Sequence, residues 1–179
     1  MTKLLSTYAA ALTACVLSTS AYAAEQTVIN ITGSVRAPTC SAVTVNNGHP
    51  VSFGEVDLRN LRNEGFTTGI PFDISLLNCN VQTYQTAVFK FSATTVNNSS
   101  GYQIALVSSE NHAKGVAITV KDKQGRNIRF DNQETFNYTI SNGNNKLMFD
   151  AFLVSTGNNW DTLTPGLIAA QATFTVSYI

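Results

Sequence analysis

Ala172-Thr173-Phe174-Thr175-Val176-Ser177-Tyr178-Ile179, the last eight residues, set Phe174, Val176 and Tyr178 at alternate positions with hydroxyl side chains between them. A period of two turns one face of a strand toward a core and the other toward water. The same alternation recurs upstream in Phe72, Ile74 and Leu76, then in Ala87, Phe89, Phe91 and Ala93. It returns in Val116, Ile118 and Val120, and in Leu147, Phe149, Ala151 and Leu153. Between these runs lie Asn97-Asn98-Ser99-Ser100-Gly101, Lys123-Gln124-Gly125-Arg126 and Asn142-Gly143-Asn144-Asn145, which carry the residues that form turns. No helical period is sustained for more than about two turns. The chain therefore reads as all-β, a two-sheet sandwich around a single core, with no internal repeat and no dividing linker.

Composition narrows the function. The chain has 179 residues, 11 Lys+Arg against 11 Asp+Glu, 44% hydrophobic and 12% charged positions. Charged residues make up about half the usual quarter of a globular sequence, and Thr, Asn and Ser fill the difference. A polar but nearly uncharged surface excludes a nucleic-acid binder, which needs a basic patch, and a disordered acidic or basic tail. Carboxylates are scattered, and His49 and His112 stand in polar contexts away from any cysteine. With no Ser/His/Asp or metal-binding grouping legible, neither an enzyme nor a cofactor is expected.

The first residues read as a targeting segment. Lys3 is the only charge before Glu25, and it precedes a mostly apolar stretch from Leu4 to Leu17 that ends near Ala21-Tyr22-Ala23. Small residues at 21 and 23 fit a secretory cleavage site, so residues 1–23 are expected to be a signal peptide and Ala24 the mature start. Two other readings share the stretch: a membrane anchor, for which it is short, and a lipoprotein site at Leu12-Thr13-Ala14-Cys15, which would make Cys15 the first residue. Removal of the signal leaves Cys40 and Cys79 in a chain exported to an oxidising compartment, a pair that reads as one disulfide. Closing that loop contributes about 4 kcal/mol in the chain-entropy account.

Two ends of the mature chain bear on function. Thr27 to Val35 is a strand pattern that begins almost at the mature N-terminus, and it reads equally as the first strand of its own sandwich. Ala172 to Ile179 is a strand pattern with no turn or tail after it, although open edge strands invite pairing with another chain. Ile29-x-Ile31-x-Gly33-x-Val35 followed by Cys40 resembles the subunits of chaperone-usher pili, the type 1-like fimbrial pilins of Gram-negative bacteria. Val51-Ser52-Phe53-Gly54 and Pro71-Phe72-Asp73-Ile74 leading to Cys79 share that resemblance. So does the ending, with Gly166 fourteenth from the last residue and Tyr178 next to last.

The resemblance implies an immunoglobulin-like sandwich that lacks its seventh and last strand, leaving a groove along the core. It divides the chain into a signal peptide (1–23), an N-terminal donor-strand extension (24–36) and a pilin domain (37–179). A periplasmic chaperone would lend a strand to the groove, and at the outer-membrane usher the extension of a neighbouring subunit would replace it. This mode of strand addition is already established for chaperone and pilin, and these residues do not show it by themselves. They suit it: Ile29, Ile31 and Val35 would each bury about 1.5 to 3 kcal/mol of apolar surface, with main-chain hydrogen bonds added. Gly33 would let the backbone approach where the groove is shallow. Gly166, Phe174, Val176, Tyr178 and Ile179 would serve the groove and chaperone recognition, with the Ile179 carboxylate meeting basic residues of the chaperone. Gly166 itself reads either as a turn residue of positive φ or as a plain loop glycine.

The expected function is a structural subunit of a homo- or heteropolymeric fimbrium, secreted through the periplasm to the cell surface, polymerising by donor-strand exchange and contributing to adhesion. A sugar-binding adhesin or a stand-alone periplasmic binding module is the competing class. Trp160 reads as a packing anchor under a loop or as a sugar-stacking platform. Asn97, Asn98 and Asn137 match the glycosylation pattern at chance frequency. No particular host ligand is legible.

Overall fold

The computed structural model describes residues 39–97, 99–157 and 162–179. The signal stretch, the extension with Ile29, Ile31, Gly33 and Val35, and also Asn98 and Trp160, lie outside the described residues. The elements in chain order are β1 (Ala42–Val45), α1 (Leu58–Glu64), β2 (Ile70–Cys79), β3 (Thr86–Ala93), β4 (Ile104–Ala105) and β5 (Val116–Asp122). They continue with β6 (Phe136–Thr139), β7 (Gly143–Ser155) and β8 (Ala172–Tyr178). Five strands form one sheet in the order β1-β2-β7-β5-β4, three form the other in the order β6-β3-β8, and every pair is antiparallel.

Each alternating run expected within the described residues is a strand, and its apolar members face the space between the sheets. Phe72 of β2 lies opposite Phe149 of β7, and Phe91 of β3 opposite Phe174 of β8. Phe89, Phe136 and Phe149 are fully buried. Phe91 meets Phe130, Phe136 and Phe149 edge-on with ring centroids 5.7, 5.8 and 6.1 Å apart, the arrangement the ring quadrupoles favour. A smaller cluster of Leu61, Ala113, Val116, Leu153 and Leu163 fixes α1 at one end of the sandwich.

Differences from the sequence reading have local causes. β1, β4 and β6 are four, two and four residues long, too short to display a period. α1 buries only Leu61, so its amphipathic signal is weak, yet its punctuation is plain: Asp57 accepts from Arg59 N, and Gly65 ends the helix at φ 78°. The stretch Asn142 to Asn145 is only partly a turn, because Gly143 already begins β7 opposite Cys79. Asn142 and Asn145 instead tie the connection down, Oδ1 of Asn142 accepting from Val81 N and Oδ1 of Asn145 from Ser141 N.

Cys40 and Cys79 form a disulfide. A register shift between Leu76 and Cys79, with Asn78 at φ 50°, bends the end of β2 there. Backbone bonds Ser41 N to Leu77 O and Asn80 N to Thr39 O flank the bridge.

Two buried carboxylates, Asp122 and Asp73, are paired with basic side chains that reach solvent. Asp122 accepts from the backbone N–H of Gln124 and Arg126, from Arg126 Nε at 2.7 Å and from the Tyr138 hydroxyl at 3.3 Å. The Arg126 guanidinium also lies over the rings of Phe136 and Tyr138. Burial, with the Asp122 charge beside it, pushes the Tyr138 phenol far above its ordinary range. Asp73, 4% exposed, accepts from Ser75 Oγ at 2.7 Å and pairs with Lys146 Nζ at 3.2 Å. The Ser75 hydroxyl, together with Lys146, holds the Asp73 carboxyl below its ordinary value of 3.8 despite burial. A depressed carboxyl contributes stability in full above its unfolded value and loses it as pH falls through the lower folded value. The urea midpoint of the subunit should therefore drop below about pH 4, and Asp73→Asn should flatten that drop while leaving a lower midpoint at pH 7.

Candidate functional site: an open side of the core

β8 is the edge strand of its sheet, and β3 is its only strand neighbour among the described residues. Its first residues, Ala172–Phe174, border a cleft of about 1040 Å³ that is lined by side chains of both sheets. Core side chains of both sheets line it, among them Ile74, Phe91, Ile104, Ile118, Val120, Phe130 and Phe149. Two stretches of irregular backbone flank these residues, Pro50–Val56 and Gly166–Gln171, the second leading into β8. Glu55 is the one charged residue among those lining the cleft. A largely apolar cleft beside the start of an edge strand suits an extended peptide with alternating apolar side chains.

Local sequence explains both flanks. Val51 and Phe53 alternate with Ser52 and Gly54, so the two apolar side chains pack on the core, while Gly54 turns the chain at φ 61° and donates to Ser52 Oγ. On the other side, backbone bonds hold the segment after Leu163 to residues 107–114: Leu167 N to Asn111 O, Ala113 N to Leu167 O and Val107 N to Ala169 O.

The residues singled out in the sequence fall into place unevenly. Phe174 lines the cleft, whereas Val176 and Tyr178 continue its inward row, packed on the core further along β8. Burial raises the Tyr178 phenol above its ordinary range. Ile179 is exposed, but its backbone extends the ladder, donating to Thr86 O and accepting from Gln85 N and Thr86 N. Gly166 lines the cleft in irregular backbone, and the reading of a positive-φ turn does not hold. Its φ is not in the left-handed region; instead, a Cβ there would lie 2.4 to 2.6 Å from the backbone of Asn111, His112 and Ala113. The cysteine pair sits in the core as a disulfide rather than at the cleft. Sequence reasoning did not assign Phe53, Ile104, Phe130 or Ile168 to the site. Only Val51-Ser52-Phe53-Gly54 carried a signal, as a short alternation before a glycine.

The family of sequences described as fimbrial protein matches residues 29–179. The chain belongs to that family. It is 28% identical over 165 residues to the major MR/P fimbria protein of Proteus mirabilis strain HI4320, an alignment covering 91% of each chain. The crystal structure of the P pilus rod subunit PapA resembles it with TM-score 0.62 and 25% identity, over 73% of this chain and 92% of that one. A chaperone-usher pilus structure concerned with rod uncoiling matches in fold with TM-score 0.67 and 23% identity, over 90% of this chain and all of that one. The sandwich is thus the incomplete immunoglobulin-like fold of chaperone-usher pilins. The fimbrial chain is a structural subunit, not an enzyme, and it contacts neighbouring subunits in a fimbrium at the cell surface.

In this fimbrial subunit the close backbone approach at Gly166 gives a direct test. Gly166→Ala should lower stability by about 1 to 3 kcal/mol, because backbone rather than a mobile side chain occupies the space. Urea unfolding measures the loss, and amide chemical shifts of His112 and Ala113 should report the displaced segment.

Proposed function

We propose that this fimbrial subunit polymerises by donor-strand exchange, with the cleft beside β8 as acceptor and residues 24–36 of another copy, or of a related subunit, as donor. The cleft itself carries the reading: core residues of both sheets line it beside the start of β8, whose one strand neighbour among the described residues is β3. Covering that surface with a strand is favourable twice, through apolar burial and through hydrogen bonds to an edge otherwise left to water. Ile29, Ile31 and Val35 supply the alternating apolar side chains, and Gly33 allows close backbone approach.

A segment that fills the cleft must be present from the time the chain folds, because an open core of this kind invites aggregation. In the proposed sequence, residues 1–23 direct export and are removed, and a periplasmic chaperone fills the cleft first, reading Phe174, Val176, Tyr178 and the Ile179 carboxylate. The outer-membrane usher then brings in the next subunit, whose extension displaces the chaperone strand. The finished fimbrium contributes to adhesion by carrying its subunits away from the cell surface.

Deletion of residues 24–36 tests the assignment. The truncated subunit should still be recovered with its chaperone and should take up a synthetic peptide of residues 24–36, yet form no fibres by itself. Size-exclusion chromatography and electron microscopy read both results. Ordinary fibres from the truncated chain, or a stable two-state monomer that needs no partner, would refute the donor role.

A further inference from the structure

The sequence holds two Asn-Gly pairs, Asn47-Gly48 and Asn142-Gly143, and the fold places them in unlike surroundings. Asn47 and Gly48 are exposed in the turn that follows β1, and the Asn47 side chain has no hydrogen bond to the described residues. Its neighbour Asn46 closes the turn instead, with Nδ2 donating to His49 O at 3.2 Å and to Pro50 O at 3.4 Å. Asn46, Asn47 and Gly48 follow one another at φ 45°, 53° and 83°, so two residues with side chains sit in the left-handed region in succession. Asn142 is fastened: its Oδ1 accepts from Val81 N at 2.9 Å, and Gly143 begins β7 opposite Cys79.

We propose that Asn47-Gly48 is a site of spontaneous deamidation, a covalent change that this turn permits and that the fold denies to Asn142-Gly143. The main-chain nitrogen of Gly48 attacks Cγ of Asn47; a C–N bond forms, the Cγ–Nδ2 bond breaks, and the proton of the attacking nitrogen leaves with ammonia. Water then opens the resulting succinimide ring at either carbonyl, which puts aspartate or isoaspartate at position 47 with no change of oxidation state. At the Asn47 ψ of 31° the Gly48 nitrogen is turned away from the side chain, so the turn must open before the ring closes. Opening relieves two adjacent left-handed conformations, and glycine, lacking Cβ, leaves its nitrogen uncrowded. Asn142 must first give up its bond to Val81 N, and Gly143 its place at the start of β7. Exchange of the amide for a carboxylate adds a negative charge to a chain with 11 basic and 11 acidic residues. In a fimbrium at the cell surface that charge accumulates with the age of the fibre.

Purified fimbriae aged in mildly alkaline water enriched in heavy oxygen provide the test, with peptides spanning the two pairs followed by mass spectrometry. The peptide containing residue 47 should lose ammonia, take up one heavy oxygen and convert about tenfold faster or more than the peptide containing residue 142. Isoaspartate should appear at position 47 beside aspartate, because water can open either side of the ring. In subunits dissociated and unfolded in urea, the two pairs should convert at similar rates. Asn47→Gln, a change at an exposed side chain, should abolish the label at that position and leave residue 142 as in wild type. Absence of conversion at residue 47 would overturn the proposal. So would equal rates at the two pairs in intact fimbriae, or a difference that persists unchanged in urea, since neither depends on the turn.

Discussion

An apolar core open along one side governs the rest of this molecule. Two antiparallel sheets stack through Phe72, Phe89, Phe91 and Phe149, and among the described residues the sheet that holds β8 ends at that strand, beside the cleft. Water against such a surface is costly in proportion to the apolar area exposed, and an unpaired strand edge adds hydrogen-bonding groups that seek a partner. Cover from another chain is thus a requirement of the proposed assembly rather than an accessory to it. In the proposed assembly, folding and polymerisation draw on the same interaction.

The remainder of the sandwich is pinned so that the open side stays the open side. Asp122 gathers two backbone N–H groups, Arg126 and Tyr138, and Arg126 covers the rings of Phe136 and Tyr138 at the β6 edge. The disulfide, the bend at Asn78 and the Asn142 and Asn145 side chains secure the pole where β1, β2 and β7 meet. At the opposite end, Gly166 lets two backbones approach too closely for any side chain, which holds the cleft-lining segment at residues 111–113. A donor entering this cleft meets surfaces already in position, so little ordering entropy is spent on the acceptor.

Legibility in the sequence followed burial. β2, β3, β5, β7 and β8 each set several apolar side chains on one face, and alternation alone revealed them. β1, β4 and β6 are too short for a period, and α1 is marked by its caps rather than by its face. Of the residues read from the sequence as serving the groove, Phe174 and Gly166 line the cleft. Phe53, Ile104, Phe130 and Ile168 come from separated segments, and no local pattern says that they share a surface.

By itself the sequence determined the class of fold, the strand faces and the pairing of Cys40 with Cys79, because periodicity and cysteine count act locally or by elimination. It also carried the family resemblance, through motifs whose order is written along the chain. Only the tertiary structure decided which side of the core borders the cleft and that Gly166 serves close packing rather than a turn. Those facts depend on which strand ends at a sheet edge and on how closely distant backbones approach, and both are fixed by the packing of the two sheets as a whole.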